Sequence, residues 1–450
     1  MKNRKLYMQI YDYYKDLIES GKLPEGTKLP SIRRCAEERN VSKTTVEQGY
    51  MCLCDDGYIL PKSQSGYYVS KRGNSTKKAE VRNENTQEKT KILYDFASAG
   101  VDAESFNMDI WRRYVKSALR QTEKLLFYGE PQGEYELRQE IANYARETRN
   151  CICTEENIVI GAGVQTLLNI LCPLLKNKKS VCFDDLSYRQ GTAIFTDYGF
   201  KVNNDREKSN IIYTSPSYST RWGDIMSVKE RFDLTEYARK TGKLIIEDDY
   251  GSEFRYFNRP TPSLQSLDAG ENVVYLGTFS KLLLPSIRIS FMILPQSLIG
   301  EYNKKEHLYN QTVSKADQIA LCSYIRDGHL NSQIRKSRKL YMQKSKILTD
   351  LLIENFGESV TILKTNSPLY VRCKFNLDLS TKELCDRAEK SGILLTPANT
   401  CGGFPEIAFS VASVGLQHLE NAVKYLCISF INKFSRSAHG DGFIVSDLNR

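Results

Sequence analysis

The chain has 450 residues, 41% hydrophobic and 26% charged, with a net charge of +9. That length exceeds one ordinary core and that balance excludes a disordered chain, so two folded units are expected, and the charge is a weak pointer to a polyanionic partner. No apolar run approaches the roughly 18 residues of a membrane span, and the opening MKNRKLYMQIYDYYK lacks a signal peptide's apolar stretch, so the expected location is the cytoplasm.

Tyr7, Ile10, Tyr14, Leu17 and Ile18 recur at the spacing of one buried helical face, and Gly21 ends that helix. After the turn Pro24-Glu25-Gly26, Ser31 behind Pro30 caps a short helix that runs to Asn40. Ser42 caps a third helix. Its Val46, Tyr50 and Leu53 face inward, while Lys43, Thr44 and Thr45 lie outward at the first turn, where a recognition helix presents side chains to the major groove. YILPKSQSGYYVS then reads as two short strands around Lys62 to Gly66, a hairpin that forms a wing. With LPSIRRCAEERNVSKTTVEQGY and the closing SGYYV, the stretch from Tyr7 to Val69 resembles the winged helix-turn-helix DNA-binding domain of the GntR family. That resemblance implies double-stranded DNA as a partner, contacted by Arg33, Lys43, Thr44 and Thr45, with Gly66 at the wing tip. Thirteen Lys and Arg against nine Asp and Glu in residues 1–72 is a modest surplus, so affinity is expected from placement and dimerisation rather than from bulk charge.

From Ser70 to about Lys91 the chain is dense in charge, and its only apolar residues are Ala79 and Val81, too few to offset the entropy of ordering it. The expected organisation is a DNA-binding domain over 1–70, a flexible linker over 71–92, a large domain over 93–432 and a polar tail over 433–450. The 12 Cys are scattered, and neither Cys52/Cys54 nor Cys151/Cys153 has the partners of a zinc site, so reduced structural thiols and no metal are expected.

In the large domain Asn157 to Gly161, Ser180 to Phe183, Asn210 to Thr214, Lys243 to Glu247 and Asn272 to Gly277 read as buried parallel strands between amphipathic helices, an α/β pattern. Ligands of such sheets sit beyond the carboxyl ends of the strands. There LIIE is followed by Asp248-Asp249-Tyr250, and VVYLG by Thr278-Phe279-Ser280-Lys281, with Arg288 seven residues on. A lysine, a carboxylate, a phenol and an arginine with small donors suit pyridoxal 5'-phosphate (PLP): Schiff base, pyridinium partner and phosphate hold. Gly161 and Gly163 open a helix after a strand, with Asp184 about 20 residues further, as in a dinucleotide fingerprint. Thr166 stands at the third glycine position, and the same helix N-terminus serves a PLP phosphate equally well.

IWRRYVKSALR, YGEPQGEYELRQEIANYARETRN, VIGAGVQTLLNIL, DDLSYRQG, IIEDDYGSEF and YLGTFSKLLLPSIRISFMILP together resemble the aminotransferase-like domain of the MocR subgroup of GntR regulators, which is similar to fold-type I PLP enzymes. The fold this implies is an α/β aminotransferase domain with a mainly parallel sheet behind a winged helix-turn-helix. Carried over by position, Lys281 would form the Schiff base, Asp248 would pair with the pyridine nitrogen, Tyr250 would reach the ring hydroxyl and Tyr188 would lie against the ring. Thr278, Ser280, Arg288 and the amides of Gly163, Val164 and Gln165 would hold the phosphate. Tyr128 would reach the phosphate of a neighbouring subunit, which implies a head-to-tail homodimer.

Two departures stand out. Where members that bind an amino-acid effector carry an arginine for its carboxylate, this chain has Ser413, which cannot make a bidentate pair. The region usually written T-P-S-H-Q has Tyr218 at the histidine, with Arg221 and Trp222 added. The function implied is a DNA-binding transcription regulator whose second domain senses PLP or an amine or amino-acid effector. The alternatives are a working aminotransferase that carries a DNA-binding module and, on the glycine pattern alone, a nicotinamide-dependent enzyme.

Overall fold

The apolar spacing of the N-terminal segment closes three helices, α1 (Leu6–Glu19), α2 (Ile32–Arg39) and α3 (Lys43–Asp55), on a core in which Ile18, Cys35, Val46, Tyr50 and Leu53 are fully buried. The Ser31 and Ser42 hydroxyls accept the backbone N–H of Arg34 at 3.2 Å and of Thr45 at 3.1 Å, caps that stabilise a helix by about 1 kcal/mol each. Asn40 ends α2 in the left-handed region and turns the chain into α3. Strands β1 (Ile59–Lys62) and β2 (Gly66–Val69) pair antiparallel with Lys62 opposite Gly66, whose φ of +102° disfavours any side chain at the hairpin turn. Three helices and a hairpin make the winged helix-turn-helix.

This computed structural model describes residues 5–71, 91–98, 100–219, 224–256, 261–398 and 403–431, and the chain divides into two compact units, 1–89 and 90–450. Most of the linker expected over 71–92 (72–90), the tail expected over 433–450, and Arg221 and Trp222 lie outside the described residues.

The second unit begins with β3 (Tyr94–Asp95) and the helices α4 (Met108–Leu119), α5 (Thr122–Leu125) and α6 (Tyr135–Arg149). A seven-stranded sheet follows, from β4 (Ile158–Gly161), β5 (Ser180–Phe183), β6 (Lys201–Asn203), β7 (Ile211–Thr214), β8 (Leu244–Asp249), β9 (Val273–Thr278) and β10 (Ser290–Ile293). Between and after these strands run α7 (Val164–Leu171), α8 (Arg189–Asp197), α9 (Val228–Thr241), α10 (Leu264–Leu267) and α11 (Gln296–Asn303). Then come α12 (Lys315–Arg326) and the 28-residue α13 (His329–Phe356). A smaller antiparallel sheet, in the order β11 (Val360–Leu363), β12 (Tyr370–Phe375), β15 (Glu406–Ser410), β14 (Thr396–Pro397), completes the unit with α14 (Thr381–Lys390), β13 (Ile393–Leu394) and α15 (Leu419–Ile431). Parallel pairing of β3 with β13 ties the start of the unit to this smaller sheet.

The large sheet has the order β4-β10-β9-β8-β7-β5-β6, and every pair from β9 to β6 is parallel. The expectation of a parallel neighbour for Asn157 to Gly161 is corrected. Among the described residues β4 pairs only with β10, which runs antiparallel to both β4 and β9. A strand that is apolar throughout reads the same in either pairing, because both faces are covered. Alternation then sorts the core: Val159, Ile246, Val274, Leu276 and Met292 pack with α7 on one face, and Ile158, Ile160, Tyr275 and Phe291 join a larger cluster on the other. No helix among the described residues is long and apolar enough to cross a membrane.

Candidate functional site

Sheet register brings the site together. β10 sets Ser290 opposite both Gly161 and Thr278, so the ends of β4 and β9 and the start of β10 lie side by side at one edge. At that edge a cavity of about 420 Å³ is lined by Val164, Tyr188, Asp248, Tyr250 and Lys281 of the expected set, together with Asp184, Tyr213, Tyr218 and Tyr370, which the sequence did not single out as cofactor contacts.

Alternation along β8 decides the role of its three acids. Asp248 shares a face with Ile246 and opens on the cavity, and its Oδ2 accepts the Tyr213 hydroxyl at 2.6 Å. Glu247 and Asp249 point the other way. Asp249 meets Arg149 Nε at 2.6 Å and the Tyr275 hydroxyl at 2.6 Å, and Arg149 and Arg231 approach Glu247 at 3.9 and 3.8 Å. Burial pushes the Asp248 carboxyl up to about 6, even though the Tyr213 hydroxyl favours its charged form. Burial acts on Asp249 too, but the Arg149 guanidinium and the hydroxyls of Ser217 and Tyr275 outweigh it and hold that carboxyl below its usual range.

Lys281 follows β9 and sits among three phenols: its Nζ lies 5.4 Å from the ring centre of Tyr218, 5.1 Å from Tyr250 and 5.8 Å from Tyr370. Burial lowers its amine to about 8, which raises its neutral fraction well above that of an exposed lysine. Tyr250 stacks on Tyr218 at 4.8 Å, and the Tyr218 hydroxyl pairs with Ser367 at 2.7 Å, so the residue at the usual histidine position is a wall of the cavity. Tyr188 leans on Tyr213 at 5.8 Å.

Beside Val164 and Lys281 in the chain, Arg288 stands against the N-terminus of α7. Gly163 precedes α7 with a φ of +95°, and a Cβ placed on it would stand 2.3 Å from Arg288 Nη2. Glycine therefore lets the guanidinium close over the helix N-terminus, where the first backbone N–H groups, including those of Val164 and Gln165, have no intrahelical acceptor. Thr278 Oγ1 accepts the Ser280 N–H at 3.2 Å and the Ser290 hydroxyl at 2.9 Å, which orients the hydroxyl pair. Ser290 was not foreseen, because it lies on a strand that the sequence reading did not delineate. Ser413 is exposed, with its Oγ 3.8 Å from where a Cβ of Gly100 would be. Tyr128 is fully exposed and lines no part of this chain's own cavity.

In the first unit Lys43 and Thr44 are exposed at the start of α3, and Gly66 is exposed at the hairpin turn. Thr45 is half-buried and its hydroxyl is shared with Ser42 at 2.8 Å, while Arg33 pairs with Glu37 at 3.2 Å on the exposed face of α2.

Residues 93–426 match the family described as aminotransferase class I and II, and residues 6–69 match bacterial regulatory proteins of the gntR family. The HTH-type transcriptional regulator YdeL of Bacillus subtilis is 35% identical over 412 residues, which cover 88% of this chain and 89% of that protein. The probable rhizopine catabolism regulatory protein MocR of Rhizobium meliloti is 26% identical over 424 residues, covering 87% and 86%. Among solved structures, the α-aminoadipate aminotransferase LysN of Thermus thermophilus superposes with a TM-score of 0.65 at 20% identity over 76% of this chain and 92% of its own, a likeness of fold.

Proposed function

The chain belongs to the MocR subgroup of the GntR family of HTH-type transcription regulators, and from that premise we propose that its second unit binds PLP through Lys281 and that this cavity governs DNA binding by the first unit. One observation carries the reading: a buried acid, a buried amine and an anion cradle stand together at the carboxyl edge of one sheet, in a fold whose family is PLP-dependent. When bound, the cofactor supplies an aldehyde that condenses with an amine and a ring that withdraws electrons from it.

The chain's own residues then have distinct tasks. Lys281, its charge disfavoured by burial, offers a nucleophilic amine near neutral pH. Asp248, fixed by Tyr213, would keep a proton on the pyridine nitrogen. Tyr250 would reach the ring hydroxyl and Tyr188 would lie against the ring. Thr278, Ser280, Arg288 and the amides of Gly163, Val164 and Gln165 would hold the phosphate. The pair Arg149 and Asp249 anchors β8 from behind and so positions Asp248.

Leu126, Phe127 and Tyr128 are three consecutive, largely exposed apolar or aromatic side chains, a surface that a partner subunit would cover. They support a head-to-tail homodimer in which Tyr128 reaches the partner's phosphate. In the DNA-binding domain, taken as 1–70, Arg33, Lys43, Thr44 and Thr45 would contact DNA, with Gly66 at the wing. The effector would be PLP itself or an amine held in the same cavity, because Ser413 offers a carboxylate no bidentate partner.

The test is the visible absorption of the purified full chain with added PLP, beside Lys281→Ala. A band that requires Lys281 and is modified by one of a panel of amines supports the reading and identifies the effector class. A Lys281→Ala protein whose DNA binding still responds to PLP as the wild type does would refute it.

A further inference from the structure

The helix α13 carries Arg335, Lys336, Arg338, Lys339 and Lys346, and between His329 and Thr349 it has no acidic residue. All but the half-buried Arg338 are exposed, and among the described residues none of the five has a carboxylate within ion-pairing reach. At 3.6 residues per turn, Arg335, Lys339 and Lys346 fall within about 40° of one line and span roughly 16 Å. The opposite side of the helix is buried through Gln333, Ser337, Tyr341, Lys344 and Leu348, and its one cation, Lys344, is paired with Asp102.

Such a stripe costs the helix something. Like charges three and four apart, as in Arg335 with Lys339, destabilise a helix. Several other surface helices of this chain pair opposite signs instead, Arg34 with Glu38 on α2, Arg239 with Glu236 on α9, Lys304 with Glu301 on α11 and Lys424 with Glu420 on α15, whereas α4 repeats the like-charge spacing with Arg112 and Lys116 but offsets it with Asp109. A single-sign face that no internal acid neutralises is complementary to an external polyanion. A lipid surface would ask for aromatic or aliphatic side chains along the same stripe, and between Arg335 and Lys346 its one large exposed apolar residue is Met342. DNA asks only for cations in a line, since phosphates recur about every 3.4 Å along each strand.

We infer that the exposed face of α13 is a second, sequence-independent DNA-binding surface, which grips phosphates with Arg335, Lys339 and Lys346 in addition to the contacts made by the winged helix. This rests on the reading of the chain as a DNA-binding regulator. It adds to that reading a direct role in DNA binding for the aminotransferase-like unit.

The experiment is a salt titration of full-chain binding to a random-sequence duplex of about 60 base pairs, for the wild type and for Arg335→Gln/Lys339→Gln/Lys346→Gln. Glutamine keeps helix propensity and removes like-charge repulsion, so the variant should fold, and unchanged thermal unfolding checks this. Losing three phosphate contacts lowers the slope of log K against log salt by about 2.7, so the wild type loses about 40-fold more affinity than the variant between 50 and 200 mM salt. Lys339→Arg/Lys346→Arg should keep the wild-type slope. A triple variant with the wild-type slope overturns the inference and leaves the winged-helix reading intact. A wild type that binds no duplex at 50 mM salt overturns both. A variant that loses only its binding to phosphatidylserine vesicles, with the duplex slope unchanged, overturns DNA in favour of a membrane.

Discussion

Replacing Gly163 by alanine should weaken PLP binding through its phosphate and leave the rest of the site intact. The added Cβ would sit 2.3 Å from Arg288 Nη2 and 3.1 Å from its Cζ, on a backbone at φ +95°. The 2.3 Å contact cannot persist and the end of the flexible Arg288 side chain is what gives way, so the guanidinium shifts off the N-terminus of α7. The phosphate then loses a charge-assisted hydrogen bond of about 1.5–3 kcal/mol, which is roughly 10- to 150-fold in affinity. Part of the strain at positive φ is present with and without ligand, so it acts on stability more than on affinity. The assay is titration of the visible band with PLP and, separately, with pyridoxal, which lacks the phosphate. Pyridoxal affinity should change little. Arg288→Ala should match the loss, and the double variant should be little weaker than Arg288→Ala alone, because both changes remove the same contact. A Gly163→Ala protein that binds PLP as the wild type does, or that weakens toward pyridoxal by the same factor, would refute the assignment of this cradle to the phosphate.

Three further outcomes are expected. Burial favours the neutral amine of Lys281, so the rate of PLP capture should rise with pH, reach half its maximum near 8 and level off above it; stopped-flow absorbance that still climbs steeply at pH 10 would contradict the burial argument. In Tyr213→Phe the Asp248 carboxyl loses a donor that favours its charged form and moves further above about 6, so PLP affinity should fall more at pH 6.5 than at pH 8.5, and an equal fall at both would show that Tyr213 does not act through Asp248. Lys43→Gln should weaken duplex binding and lower the salt slope by about 0.9, and Arg33→Gln should also weaken it; fluorescence anisotropy showing both variants at wild-type affinity would remove α2 and α3 from the DNA interface.

Local grammar made the first unit legible. Serine caps, helical spacing and a glycine hairpin are read within a few residues, and Ser31, Ser42 and Gly66 occupy the positions their chemistry demands. The segment around Lys281 was legible for a related reason: a lysine, two hydroxyl residues and an arginine lie within eleven residues after one apolar strand, so their convergence needs only that strand to be a strand.

Other parts of the site depended on contacts far apart in the chain. By residue type Asp248 and Asp249 are equals and only the family resemblance pointed to Asp248; alternation on β8, with Arg149 on the far face, is what sends one to the cavity and the other to a buried ion pair. Tyr213 could have been anticipated, since β7 ends at the same edge, but Tyr370 arrives from the smaller sheet with no signal near Lys281. The insertion of β10 between β4 and β9 was likewise invisible. Apolar strands buried on both faces carry no mark of their neighbours' direction, and it is that insertion which sets Ser290 beside Thr278 and Gly161. The sequence by itself thus determined the local elements and the order of the candidate site residues along the chain, because capping, periodicity and motif spacing are local. Tertiary structure decided which of them face one another, because strand order and side-chain alternation are settled only when the sheet is assembled.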